Sequence, residues 1–366
     1  MGGRGGDSAS PTTLYNQKLP YMSNSAAIHD QSQTSTGETE SPVSEFAALV
    51  SGCGLFRLSR RSKISLSGKD RMRWLNGMVT NKVRDLAPGQ GLYAFVLNAQ
   101  GHILGDLYAF NRGESLLVDT DRSQTEKLLE IFRRYIIMDA VTVANLSHQS
   151  TSIGIAGPKA GEVLRAAGFA FEKLRSLQFV DFTWQTIPLS IVRADNPVLE
   201  WYEIWFPPER AASLWEALAN SGATPVGTAA LELLRIACGI PRYGQDIRER
   251  DLPQETEQLR ALNFEKGCYI GQEIVERIRS RGKVHRKFAG FEVTGPLPAP
   301  GVKIQSQGKE VGEVTSAAVL PFPGGSQPVA LGYIRREAEA AEYPLAAGEA
   351  QLRVTELPFM ATFPER

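Results

Sequence analysis

The chain reads as an α+β protein that ends in a small β-barrel, and three stretches of pattern carry that reading. Residues 54–144 alternate short apolar runs with helical segments, residues 151–238 repeat the mixture, and beyond Lys287 the pattern becomes strand alone. With 366 residues there is enough chain for two or three domains and a sizeable core.

In the first stretch, residues 55–58 and 64–67 alternate as strands do, and residues 71–78 form a short helix. Residues 91–97 and 103–110 flank Asn98-Ala99-Gln100-Gly101, a hairpin turn. Ser123 and Glu126 form a capping box ahead of Leu128, Ile131, Phe132 and Tyr135, whose spacing gives one buried helical face. The second stretch opens with a strand at 152–156; Pro158 stands at a helix start before Val163 and Leu164, and Gly168 ends that helix. Strands at 187–193 and 201–206 and a helix at 208–218 follow. A helix over 228–238 puts Leu231, Leu234 and Cys238 on one face, with Gly239 as cap and Pro241 beyond, so the Cys238 thiol belongs to the core. In the third stretch, 288–293, 302–305, 310–318, 329–334 and 351–355 are strands separated by Gly and Pro turns, as in a small barrel.

Composition excludes several classes of function. The 40 basic and 40 acidic residues cancel, so no global field draws nucleic acid or an anionic membrane. A local basic run, Arg277, Arg279, Arg281, Lys283, His285, Arg286 and Lys287, is either a solvated helix end or a polyanion site. Three widely spaced cysteines, Cys53, Cys238 and Cys268, argue against a disulfide framework and fit a reducing cytosol. With no CxxC and only four histidines, a preformed zinc site is not expected, and the thiols are too few to hold an iron–sulfur cluster alone. No apolar run reaches the ~18 residues of a membrane helix. Residues 1–45 are rich in Gly, Ser and Thr, lack an apolar h-region and are too acidic for a typical transit peptide. They are expected to be a disordered extension of a cytoplasmic monomer.

The sharpest local feature is Lys266-Gly267-Cys268-Tyr269-Ile270-Gly271-Gln272-Glu273, which places one thiol between two glycines ahead of a helix over 272–281. Ile274, Val275 and Ile278 share a face of that helix, with Glu273 and Glu276 early and Arg277, Arg279 and Arg281 later, an order that suits the macrodipole. Partial positive charge at the helix start and the neighbouring Lys266 favour the thiolate, the reactive form. The alternative is a small buried hydrophobe. The flanking glycines point instead to close backbone approach or an unusual dihedral.

This octapeptide resembles the signature of the YgfZ-type folate-binding proteins, relatives of the glycine cleavage T protein (aminomethyltransferase) that act in iron–sulfur protein maturation. Leu234-Arg235-Ile236-Ala237-Cys238-Gly239-Ile240-Pro241-Arg242-Tyr243-Gly244 resembles a segment both groups share, followed by Asp246 and Leu252-Pro253-Gln254-Glu255. Trp74-Leu75-Asn76-Gly77-Met78-Val79-Thr80-Asn81, Ala156-Gly157-Pro158-Lys159-Ala160 and Val311-Gly312-Glu313-Val314-Thr315-Ser316 match further, in family order from about Phe46 onward. The resemblance implies three domains around a central folate cavity: residues 46–150 completed by 228–285, then 151–227, then a barrel over 286–366. It also implies tetrahydrofolate or a one-carbon derivative as cofactor, with iron–sulfur proteins or assembly factors as transient partners. Cys268 and Lys266 would be the catalytic pair, and Gly267, Tyr269, Gly271, Gln272 and Glu273 the surrounding motif.

The same resemblance marks cofactor-binding candidates. A reduced pterin offers amide-like groups to a carboxylate, and its glutamate tail needs cations. Asp106 aligns with the acidic pair of the T protein's G-x-x-x-D-D-L stretch, but the first acid is Gly105 here. Glu203 resembles the pterin-binding carboxylate of a G-E-x-G-Y-E-I stretch whose glycines are absent, and Glu200 is the alternative. Arg235 matches a folate-contacting arginine, a structural ion pair being the alternative, and the glutamate two places on is Ala237. His102 is either a general base or a turn residue, and Tyr243 and Tyr269 either stack on a pterin or pack. The expected function is that of a tetrahydrofolate-binding accessory protein of iron–sulfur cluster assembly or repair. The alternatives are a folate-dependent one-carbon transferase, against which the missing acids weigh, and a non-catalytic folate-binding scaffold.

Overall fold

The computed structural model describes residues 41–360 apart from 283, 323 and 342. Most of the expected N-terminal extension lies outside those residues, but its last few do not behave as expected. Ser41 caps the helix Pro42–Ser51 by accepting from Ser44 N, and Pro42 fits the first turn because its missing N–H has no partner there to lose. Glu45 is buried on this helix, and its Oε2 accepts from Gly227 N at 2.9 Å.

Three sheets build the rest. The first is antiparallel, in the order Gly91–Leu97, Ile103–Asn111, Ser115–Asp121, Arg61–Ser67, Thr142–Asn145. Its core is closed by the helices Arg71–Met78 and Thr125–Tyr135 through Trp74, Leu75, Leu128 and Phe132. The second runs Thr224–Pro225, Gly54–Arg57, Thr151–Ala156, Trp201–Phe206, Ile187–Arg193, Phe179–Trp184. Gly54–Arg57 therefore pairs with Thr151–Ala156 and Thr224–Pro225, both far along the chain, and not with Arg61–Ser67, its neighbour in sequence. The third is a closed six-stranded barrel of Arg286–Thr294, Gly325–Arg335, Lys309–Phe322, Lys303–Ser306, Leu345–Ala347 and Ala350–Thr355. The α+β class and the terminal barrel are as expected. The barrel strand at 345–347 escapes the sequence pattern because three residues are too few to show alternation.

Two local expectations need correction or refinement. The Ser123–Glu126 capping box does not form. Asp121 Oδ1 accepts from Ser123 N at 2.9 Å, a short 3₁₀ turn Arg122–Gln124 follows, and the helix starts only at Thr125. Of the expected apolar face, Leu128 and Phe132 are buried while Tyr135 is 43% exposed. Cys238 is buried as expected, and burial pushes its thiol up to about 12. No helix among the described residues is long and apolar enough to cross a membrane.

Buried carboxylates, Asp246 first among them, tie the barrel to the remainder beside a shared apolar core. Asp246 is fully buried; its Oδ1 accepts from Thr315 Oγ1 at 2.5 Å and Ser316 Oγ at 2.7 Å, and its Oδ2 from Arg235 Nη1 at 2.7 Å and Arg242 N at 2.9 Å. Asp251 and Glu255 continue the joint by accepting from Arg286 on the first barrel strand, at 2.7 Å and at 3.0 and 2.9 Å. Burial of such a carboxylate is offset because four donors meet it. Asp246→Ala, which leaves Arg235 with Glu232 alone and takes the shared acceptor from Arg242 N, Thr315 and Ser316, is expected to lower unfolding free energy by about 3–5 kcal/mol, read by urea denaturation. A loss below about 1 kcal/mol would contradict this assignment.

Candidate functional site

The octapeptide begins in a loop fastened to the end of a helix. Lys266 is buried, and its Nζ donates to the carbonyls of Asn76 and Val79 at the C-terminal end of Arg71–Met78, where unpaired carbonyls gather. The Tyr269 ring covers the same amine at 4.5 Å, and Ile270 N donates to Gly77 O at 3.2 Å. Burial lowers the Lys266 amine to about 7. Among the described residues no hydrogen bond joins this amine to the Cys268 thiol; Lys266 clamps the loop to the helix end. Cys268 is exposed, whereas Cys53 and Cys238 are buried.

Backbone conformation explains both glycines. Gly267 has φ +86°, with no atom within 4 Å of where a Cβ would stand, so only its conformation demands glycine. Gly271 has φ +82° and caps the helix Gln272–Arg281; a Cβ there would lie 2.5 Å from Asn98 O. On the other side of this contact, a Cβ on Gly101 would lie 2.8 Å from Ile274 Cβ, so the hairpin turn and the helix interlock glycine against neighbour. Gln272 turns back to accept from Tyr269 N at 3.2 Å, and Glu273 is exposed. His102 lies in that turn, its N–H donating to Asn98 Oδ1 at 2.9 Å.

Asp106 and Glu203 come from different sheets and meet around one aromatic interior. Asp106 Oδ2 accepts from Tyr93 OH and its Oδ1 from Gln124 Nε2, both at 2.7 Å, while Gln124 Oε1 accepts from Asp106 N at 2.9 Å. Gln124 also fills the space of the missing acid, since a Cβ on Gly105 would stand 2.9 Å from Gln124 Oε1. Glu203 Oε2 accepts from Trp205 Nε1 at 2.9 Å, and its carboxyl is raised first by burial and then by the nearby Asp119. Asp119 itself is held low, against its burial, by Arg61 and Lys63, which bond it at 2.9 and 2.8 Å. Between the acids runs a row of four groups: Arg61 lies 5.5 Å from the Tyr108 ring, Tyr108 4.9 Å from Tyr93, and Arg260 4.8 Å from Tyr93. Burial is the main reason that both phenols are raised, so they stay protonated as donors.

Arg235 does not reach this interior. Its guanidinium takes Glu232 at 3.1 and 2.7 Å, Ile240 O and Asp246 at 2.7 Å, and Ser316 Oγ at 2.8 Å, so it serves the barrel joint. Glu200 accepts from Tyr202 OH at 2.8 Å, and Tyr243 donates to Leu104 O at 2.6 Å. Sequence reading missed Arg61, Lys63, Tyr93, Tyr108, Asp119 and Arg260. A signal existed at Arg61 and Lys63, two cations one strand period apart on a strand with a buried face.

Comparison with known proteins adds to this geometry. The GCVT N-terminal domain family matches residues 15–266, starting upstream of Phe46, and the CAF17 C-terminal beta-barrel domain matches residues 285–362. The chain belongs to the GCVT N-terminal domain family. Among relatives of this GCVT-family chain, an aminomethyltransferase of Caldanaerobacter subterraneus subsp. tengcongensis is 29% identical over 293 residues, 77% of each chain. One from Rubrobacter xylanophilus is 29% identical over 320 residues, 86% of this chain and 85% of the relative. A putative chloroplastic transferase of Arabidopsis thaliana is 26% identical over 324 residues, 86% of this chain and 73% of the relative. The crystal structure of glycine cleavage system aminomethyltransferase T from Bartonella henselae superposes with a TM-score of 0.78 at 24% identity, covering 87% of this chain and 89% of that one, so the fold is shared.

Two measurements check the loop. With the Lys266 amine lowered to about 7 in the fold and titrating near 10.5 when unfolded, the unfolded state binds more protons between those values, so stability rises with pH across that window. In Lys266→Met this rise should flatten, as read by denaturation at a series of pH values. Gly267→Ala should cost about 1–2 kcal/mol from its dihedral alone, and Gly271→Ala about 1–3 kcal/mol more from overpacking. Equal losses at the two positions would be inconsistent with the contact to Asn98.

Proposed function

We propose that this chain is a tetrahydrofolate-binding accessory protein of iron–sulfur cluster assembly or repair, with Cys268 as its reactive thiol. The observation that carries the reading is the convergence of Asp106 and Glu203 on the Tyr93–Tyr108 interior, within a family whose relatives bear the name aminomethyltransferase. The donor set fits a reduced pterin: two carboxyl groups accept from ring amino and N–H groups, the Tyr108 phenol donates, and aromatic faces flank them. Asp106, Glu203, Tyr93 and Tyr108 would hold the ring, and bound folate would supply a one-carbon carrier. Tyr93 and Gln124 fix the Asp106 carboxylate in place, and Glu203, its carboxyl raised, sits poised to share a proton at its carboxyl oxygens.

Cys268 projects from a clamped loop and is open to a large partner, such as the iron of a damaged or nascent cluster on a client protein, here the substrate. Coordination to that iron releases the thiol proton to water. An exposed free thiol suits a reducing compartment, so we place the protein in the cytosol as a monomer with transient clients. The names of its relatives favour a second reading, aminomethyl transfer. Against it stands Gln124, which fills the place of the first acid beside Asp106.

The test has three arms. Tetrahydrofolate should bind the parent by calorimetry and bind Glu203→Gln at least tenfold more weakly. Cys268→Ser should bind folate normally yet fail to restore iron–sulfur enzyme activity in cells lacking the protein; restoration to the parent's level would end the role given to the thiol. Transfer of label from glycine to folate with a purified lipoyl carrier protein would establish the transferase instead.

A further inference from the structure

Arg260, at one end of the aromatic row, is partly exposed. It lies on the wall of an open groove of about 1440 Å³, formed with Asp195, the end of the Thr228–Ala237 helix at 238–240, and barrel residues such as Leu352 and Val354. Its side chain is 33% exposed and pairs with Asp195 Oδ2 through Nη1, while its Nε donates to Gln258 Oε1 at 3.2 Å. Among the described residues Nη2 has no partner, so one edge of the guanidinium remains able to donate. The other cations lining the groove are committed elsewhere: Lys287 to Glu339 at 2.7 Å and Arg353 to Glu292. Asp195 is itself steadied by Ser176 Oγ at 3.1 Å.

We propose that Arg260 anchors the carboxylate of the ligand's glutamate tail, competing with Asp195 for that tail's place, so that the ring lies in the Tyr93–Tyr108 interior and the tail runs into the groove. This rests on the folate reading above and assigns its outer half. A guanidinium backed by an aromatic face loses less freedom on gaining a carboxylate than a free one, and planar charge-assisted bonds are what such a tail can offer. Tyr93 links the two halves, because the ring under Arg260 also carries the hydroxyl that holds Asp106.

Calorimetric titration with tetrahydrofolate and with tail-less 6-methyltetrahydropterin separates the outcomes. Arg260→Gln should weaken tetrahydrofolate about tenfold and leave the pterin unchanged. Arg260→Lys should retain most of the affinity, and Asp195→Asn, which removes the competing carboxylate, should tighten tetrahydrofolate alone. Unfolding midpoints of the variants confirm that the fold is kept. Equal losses for both compounds in Arg260→Gln, no loss for either, or weaker tetrahydrofolate binding in Asp195→Asn overturns the proposal. If the parent binds neither compound, the folate reading itself falls, a result distinct from any of these.

Discussion

The fully buried carboxylate of Asp246 bonds a helix, a loop and a barrel strand at one point. The chain from 242 to 270 hangs between that point and the clamp at Lys266. An uncompensated charge in such a place would cost more than the joint contributes, so the pieces around it have little freedom to rearrange one at a time. The loop bearing Cys268 is thus fixed at both ends by polar contacts to carbonyls and carboxylates.

The same principle governs the interior around Tyr108. Four charged groups, Arg61, Lys63, Asp119 and Glu203, lie within mutual reach, and the balance is uneven: Asp119 is met by two cations while Glu203 has a neutral indole N–H. The environment therefore pushes two nearby carboxyls in opposite directions, one kept ionised and one drawn toward its acid form. Unequal carboxyl pairs of this kind are found where a protein must both bind and exchange protons.

What the sequence revealed follows from the range of each interaction. Strand alternation, the Arg71–Met78 helix, the hairpin at Asn98–Gly101 and the glycines of the octapeptide are short-range patterns and were legible. Where a choice depended on partners far along the chain, the pattern was silent or misleading. Gly54–Arg57 alternates correctly yet joins the second sheet. Arg235 sits in a recognisable segment, but whether it meets a ligand or Asp246 depends on a loop that folds back onto it. Asp121 caps a 3₁₀ turn where the box was expected, and the helix that follows begins at Thr125 with no side-chain cap. Asp106 and Glu203 stood out as separate candidates in the sequence, whereas Tyr108, Arg61 and Asp119, which lie near them in the fold, carry no local mark.

Gln124 has a consequence for how this chain can change. Its amide grips Asp106 from both sides and stands where a side chain at position 105 would begin. An acid placed at 105 would push Gln124 away and loosen the very carboxylate it was meant to assist; trimming Gln124 first would release Asp106 with nothing gained. What position 105 can hold therefore depends on Gln124, and the two positions are coupled.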